Sequence, residues 1–160
     1  MTVRAREWDV TESLEMRCPP DAVYAALADS RRMAEWSPEV WRVWSRGDRF
    51  VGFNRRALWV WFTVCHVVAA DPGRESEFAF DVTTFGLPVA RWGYLLTPTR
   101  HGTQVTEYWI DHRRHGWRRH LAELLGLVFT GTPAVQRAAR NRAGMRLTLR
   151  RLAAACETAD

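Results

Sequence analysis

Lysine is absent from this sequence: all 23 of its Lys+Arg side chains are arginine, which reads as codon bias in a GC-rich genome. Cysteine is scarce too. Cys18, Cys65 and Cys156 are odd in number and have no CxxC spacing, so they make neither a disulfide framework nor a zinc knuckle. They read as small, reduced core residues, and we expect a cytoplasmic location. No run of about 18 apolar residues exists to span a membrane. The opening MTVRAREWDV has no apolar stretch that would serve as a signal peptide. Internal repeats and low-complexity linkers are also missing. So are GxSxG, P-loop and GxGxxG motifs and any zinc spacing, which leaves no signature of a nucleophile elbow, phosphate cradle or dinucleotide fold.

What the chain does have is tryptophan, at positions 8, 36, 41, 44, 59, 61, 92, 109 and 117. Nine indoles in 160 residues are hard to close-pack without voids, so some are expected to line a cavity or groove. The length suits one domain, covering residues 1–160. Charge is uneven. Residues 1–112 carry 13 Arg against 15 acids, net −2, and residues 113–160 carry 10 Arg against 3 acids, net +7. A basic C-terminal third can attract nucleic acid or anionic lipid. The periodicity described next favours a solvated helix face instead, and no nucleic acid partner is expected.

Residues 8–17 alternate, with Trp8, Val10, Leu14 and Met16 on one face, the pattern of a half-buried strand. Glu12 interrupts that apolar face. Pro19-Pro20 opens a short helix over 21–29, and a second short helix over 30–35 ends at Trp36-Ser37-Pro38. Strand patterns follow at 40–44, 50–54, 58–70, 75–82, 90–97 and 103–111, separated by turn signals such as Arg46-Gly47-Asp48, Asp71-Pro72-Gly73 and Arg100-His101-Gly102. Such spacing implies consecutive hairpins and an antiparallel sheet. A short helix is expected over 117–128. A long one follows over 132–157, with Thr132 as N-cap and Pro133 at its first position. Its apolar stripe is Ala138, Met145, Leu149, Leu152 and Cys156, while Arg137, Arg140, Arg146, Arg150 and Arg151 fall off it. Arg142 falls on the buried side, bordered by Asn141.

This order, a strand, two short helices, six strands and a long helix, is that of the α+β helix-grip fold, a curved antiparallel sheet wrapped around its C-terminal helix. Local segments strengthen the likeness: Cys-Pro-Pro-Asp-Ala-Val-Tyr at 18–24, Asp29, Trp36-Ser37-Pro38-Glu39-Val40, Gly52-Phe53-Asn54-Arg55-Arg56, Trp61-Phe62-Thr63-Val64-Cys65, Ala70-Asp71-Pro72, Arg91-Trp92-Gly93-Tyr94, Gly102-Thr103-Gln104-Val105-Thr106-Glu107 and Thr148-Leu149-Arg150-Arg151-Leu152. The chain resembles the START and birch-pollen-allergen (SRPBCC) superfamily in its polyketide cyclase/dehydrase branch. Each segment is a turn, core or helix-entry motif, and none is catalytic. The resemblance implies a ligand site between sheet and long helix. Members either cyclise or dehydrate polyketides or carry lipids, hormones or quinones.

Strand parity nominates the lining: Trp59, Trp61, Thr63, Cys65, Phe78, Phe80, Trp92, Tyr94, Leu96, Val105, Glu107 and Trp109, with Arg142 from the helix. Trp61 and Cys65 match the inward positions of the family. The expected partner is a small hydrophobic molecule, aromatic, polyketide or lipid-like, with no cofactor and no metal. The alternative function is a cyclase or dehydratase using acid–base chemistry from Glu107, Tyr94 or Glu12. A buried carboxylate must be paired, wet or protonated, so Glu12 or Glu107 either pairs with Arg142 or faces a wet cavity with a raised pKa. The structural pairing of Glu107 is the favoured expectation. Aromatase/cyclases of the family place an Arg on the strand of the paired Trp, where this chain has Thr63 and Cys65; Arg55 and Arg56 lie a turn earlier. His112, His115 and His120 lie among Arg113, Arg114, Arg118 and Arg119, which repel a metal ion. The apolar segment 117–129 reads as a lid, a homodimer contact or a membrane-touching element.

Overall fold

The computed structural model describes residues 6–72, 76–114 and 116–158. Strand β1 (Asp9–Met16) leads into helix α1 (Pro20–Ala28), a 3₁₀ turn (Ser30–Arg32) and the single-turn helix α2 (Met33–Trp36). Six strands follow: β2 (Val40–Arg46), β3 (Arg49–Arg56), β4 (Trp59–Asp71), β5 (Ser76–Thr84), β6 (Leu87–Pro98) and β7 (Thr103–Asp111). Helices α3 (Trp117–Thr130) and α4 (Ala134–Glu157) close the order. The strands form one antiparallel sheet in the order β1-β7-β6-β5-β4-β3-β2, the consecutive-hairpin arrangement implied by the turn spacing, with β1 joined to the far edge. Register shifts at Val40/Arg42, Val67/Ala69 and Val82/Thr83 bend the sheet, since an extra residue on one strand raises local twist. The expected elements are all present. Glu75 and Gly73, in the expected β4–β5 turn and strand start, lie outside the described residues.

Helix α4 turns Ala138, Met145, Leu149 and Leu152 inward, as its stripe requires, and Cys156 is half-buried. Its start is one residue later than the N-cap expectation. Pro133 occupies the cap position, because the Thr132 hydroxyl is engaged by Arg56 Nη2 at 2.6 Å and is not free to cap. Arg140, Arg146, Arg150 and Arg151 are exposed as expected, but Arg137 is not. Its departure matters for the site below.

The two ends of the concave face are filled differently. At one end α1 and α2 pack their apolar residues, including Val23, Leu27 and Trp36, onto Met16, Phe78, Leu96, Val105, Leu149 and Leu152 as one solid cluster. At the other end the cover is α3, which has one buried residue, Ala122. The interior is therefore packed on the α1 side and hollow on the α3 side.

The β3–β4 hairpin places the exposed Ala57 at φ 51°, a left-handed conformation that costs an L-residue roughly 1–2 kcal/mol. Ala57→Gly should therefore stabilise the fold by about 0.5–1 kcal/mol after its own entropic cost. The check is a higher urea midpoint at unchanged m. A lower midpoint would show that the hairpin gains nothing from glycine.

Candidate functional site

The hollow is a cavity of about 570 Å³, within the size range of small-molecule sites. Its aromatic wall follows from register. Phe80, Trp92 and Trp109 stand side by side across β5, β6 and β7, and Trp61 faces inward from β4. Leu125 and Phe129 of α3 roof it. Phe85 sits at the β5–β6 turn with φ 49° and bridges to Phe62 and Phe129 with ring centroids 5.6 and 5.7 Å apart. A bulky residue in a left-handed turn position is strained, and here the turn holds an aromatic ring at the cavity border.

Glu107 and Tyr94 are paired on adjacent strands and reach the same cavity wall. Glu107 is 2% exposed. The Tyr94 hydroxyl donates to its Oε1 at 3.0 Å, while Oε2 has no hydrogen-bond partner among the described residues. Burial pushes the Glu107 carboxyl up to about 8, the Tyr94 hydrogen bond opposing only in part. Burial, with Glu107 adjacent, also drives the Tyr94 phenol well above its ordinary value. At neutral pH both groups keep their protons. Tyr94 supplies the hydrogen bond to Oε1, so the carboxyl proton belongs on Oε2, and Glu107 is a donor in search of an acceptor. Asn141, buried on α4, lines the same cavity with its Nδ2 unpartnered among the described residues.

The expected pairing of Glu107 with Arg142 does not occur. Glu12 stands directly opposite Glu107 in the β1–β7 register, and Glu12 takes the arginine: Arg142 Nε lies 3.5 Å from its Oε1 and Arg146 Nε 3.1 Å from its Oε2. Arg142 also approaches Glu7 at 3.4 Å. It lies on the flank of α4 that faces edge strand β1, outside the cavity. Of the other nominated residues, Trp61, Thr63, Cys65, Phe80, Trp92, Tyr94, Glu107 and Trp109 border the cavity. Phe78, Leu96 and Val105 share the inward face but belong to the solid cluster beneath α1. Trp59 is turned aside at the start of β4, where its indole lies against Gly131 at the α3–α4 joint; a Cβ there would meet the ring at 2.6 Å. Burial raises the Cys65 thiol to about 12, so it is a neutral wall residue and not a nucleophile.

Strand parity missed apolar and polar wall residues such as Phe50, Asn54 and Val82, and with them a charged group. Arg56, Arg113, Arg137 and Glu39 all border the cavity. Glu39 accepts from Arg56 Nη1 at 3.3 Å through one oxygen and from Arg137 Nη2 at 3.1 Å through the other. Arg56 also donates to the Thr130 carbonyl, tying β3 to the end of α3, and its guanidinium lies 5.9 Å from the Trp61 ring centroid. Arg113 is held by Asp111 at 2.8 Å. A signal for Arg137 was available: Arg137, Asn141, Gly144 and Thr148 recur at spacings of four, three and four, a polar and small stripe beside the apolar one. That stripe faces the hollow.

Among the described residues no group of three or more His, Cys, Asp or Glu side chains is placed to hold a metal ion. His115 lies outside them. No helix of the described residues is long and apolar enough to cross a membrane.

Comparison with solved structures agrees with this architecture. The polyketide-cyclase-like protein Cgl2372 of Corynebacterium glutamicum superposes with a TM-score of 0.54 at 25% identity, covering 90% of this chain and 88% of that one. The aromatase/cyclase ZhuI from Streptomyces sp. R1128 gives 0.62 at 15% identity, with 93% of each chain covered. The di-domain aromatase/cyclase StfQ of the steffimycin biosynthetic pathway gives 0.66 at 16%, with 94% of this chain matching half of that one. A search of curated proteins returns no match. Residues 7–157 match the family described as polyketide cyclase/dehydrase and lipid transport, and the chain, a helix-grip protein of the SRPBCC superfamily, belongs to it.

Proposed function

We propose that the protein binds a small hydrophobic molecule, aromatic, polyketide or lipid-like in character, in the cavity beneath α3 and α4. The observation that carries this reading is a hollow of about 570 Å³ walled by Trp61, Phe80, Trp92 and Trp109. Apolar walls supply affinity by removing ligand surface from water, and a few polar groups orient it. Residues 1–160 then act as one ligand-binding domain. Cys18, Cys65 and Cys156 form no disulfide among the described residues, which fits a reducing cytoplasm. The outward side of α3, with Leu121, Leu124 and Val128 exposed, is where a homodimer contact would form.

The neutral fluorophore N-phenyl-1-naphthylamine tests the cavity reading. It should quench tryptophan emission saturably at one equivalent, and Trp92→Ala should weaken it about tenfold. Unsaturable quenching, or indifference to Trp92, would count against a binding cavity.

A second reading, cyclisation or dehydration, is favoured by one feature: the protonated Oε2 of Glu107, unpartnered among the described residues. A carboxylic acid at this position is suited to protonate a carbonyl oxygen as an enol forms, or a hydroxyl as it departs as water. The resulting carboxylate is the base that recovers a proton from the adjacent carbon. Tyr94, held to Oε1, orients the carboxyl through the cycle. The Arg that cyclases carry on the Trp strand has no counterpart at Thr63 or Cys65, so binding remains the primary reading.

A further inference from the structure

The polar groups that the cavity leaves open share one property. Glu107 Oε2, on a carboxyl that burial keeps protonated at neutral pH, Asn141 Nδ2 and Arg137 Nη1 are each buried at the cavity and without a partner among the described residues. All three are donors, and an unmet buried donor costs free energy until an acceptor arrives. One of them is a cation.

The charge count around Arg137 sharpens this. Two guanidiniums, Arg56 and Arg137, share the single carboxylate of Glu39, one on each oxygen. Arg113 is already matched by Asp111, and Arg140 adds a further positive charge at the rim. Burial, with Arg56 and Arg113 close by, works against the charge on Arg137, yet a guanidinium does not give up its proton in a protein. The pair Arg56–Arg137 therefore carries one positive charge that no group among the described residues balances, inside an apolar hollow where such charge interacts strongly.

We infer that the bound molecule is a monoacid: an apolar ring system or chain bearing one carboxylate, received by Arg137 Nη1, with a neutral acceptor such as a carbonyl or hydroxyl oxygen meeting Glu107. This rests on the cavity being a ligand site, as proposed above. A carboxylate matches the one unbalanced charge of the buried Arg56–Arg137 pair, Arg140 being exposed to water, and takes a charge-assisted hydrogen bond from the open N–H. Unsubstituted hydrocarbons satisfy none of the three donors, and neutral lipids leave the cation unbalanced, so the site discriminates against both.

N-phenyl-1-naphthylamine serves as reporter, displaced in parallel by 2-naphthoate, its neutral methyl ester and 2-naphthyl phosphate. The wild-type protein should release the reporter at an about tenfold lower concentration of naphthoate than of ester. Arg137→Met should erase that preference while leaving displacement by the ester within about twofold, and Arg150→Met, on the exposed side of the same helix, should keep it. Equal displacement by naphthoate and ester in the wild type overturns the inference while leaving the cavity intact. A preference for the phosphate overturns the charge count. Should Arg137→Met fail to fold, the wild-type ratio of acid to ester still decides. A reporter that does not bind the wild type at all removes the cavity reading, and this one with it.

Discussion

Glu107→Gln is expected to make the protein more stable, and to do so in a way that depends on pH. The carboxyl sits at about 8 in the folded chain against an ordinary 4.5. Between those values the folded state binds more protons than the unfolded one, so stability falls as pH rises through the interval. Below pH 4.5 both states are protonated and the group costs nothing. By pH 7 retaining the proton costs about 3 kcal/mol, and the cost levels off once pH passes the folded value. Glutamine carries no such penalty. Its carbonyl accepts from Tyr94 as Oε1 does, and its amide replaces the carboxyl proton as a donor toward the cavity. The melting temperatures of the two proteins should therefore converge near pH 4.5 and separate by on the order of 10 °C at pH 8, the variant being higher. Parallel curves would mean that Glu107 ionises freely and has a partner or solvent to match. The opposite result, a variant less stable at every pH, would restore a structural ion pair.

The same substitution separates holding from transforming. A binder keeps most of its affinity when one donor replaces another of the same shape. A catalyst that protonates its substrate loses turnover while gaining stability, because an amide cannot deliver the proton. A protein that retains a buried acid at a cost of stability is following the pattern expected where function, rather than folding, sets the residue.

Why Glu107 was plainly legible and Arg137 only through a faint polar stripe is a matter of symmetry. A strand offers two faces, so once Val105 and Trp109 are placed inward Glu107 must follow, and Trp92 and Tyr94 follow with it. A helix offers a continuous circle. Its apolar stripe fixes which side meets the sheet, but residues at the border, here Arg137 and Arg142, turn on rotations of a few tens of degrees. Arg142 went toward β1 because Glu7 and Glu12 lie there, and Arg137 went inward because Glu39 does. Neither partner is near in sequence, so no local pattern announces it. Parity also cannot say which end of a concave face is filled. Phe78 and Phe80 share one face of one strand, yet only Phe80 meets the hollow, since α1 closes over Phe78. The order and type of elements, by contrast, rest on periods of 2 and 3.6 that tertiary packing rarely overrides over such lengths.

Asp111→Asn should be among the most damaging substitutions in the chain, at about 3–5 kcal/mol, because it breaks a buried ion network from one side only. Asp111 is fully buried at the end of β7 and Arg113 nearly so. Its Oδ1 accepts from Arg113 Nε at 2.8 Å and from the Arg113 backbone at 3.0 Å, and its Oδ2 accepts from Arg113 Nη2 at 2.9 Å and Arg6 Nη2 at 2.7 Å. Burial alone would raise this carboxyl, but the guanidinium donors of Arg113 and Arg6 prevail and hold it below its ordinary value. Its stabilisation is thus complete above the usual aspartate range and disappears as pH falls through the folded value, the reverse of the Glu107 effect. Asparagine keeps one acceptor, turns an N–H₂ toward donors, and leaves the Arg113 cation buried without its counter-charge. The loss should concentrate on α3. Arg6 bridges Asp111 to Glu123 of that helix, and Arg113 packs beneath Gly126. In hydrogen exchange, amides of Trp117–Thr130 should lose protection more than those of β5 and β6, and the melting temperature should fall less steeply with acid than in the wild type. Unchanged exchange in α3 would show that its contacts with the aromatic wall, not this network, hold the cover over the cavity.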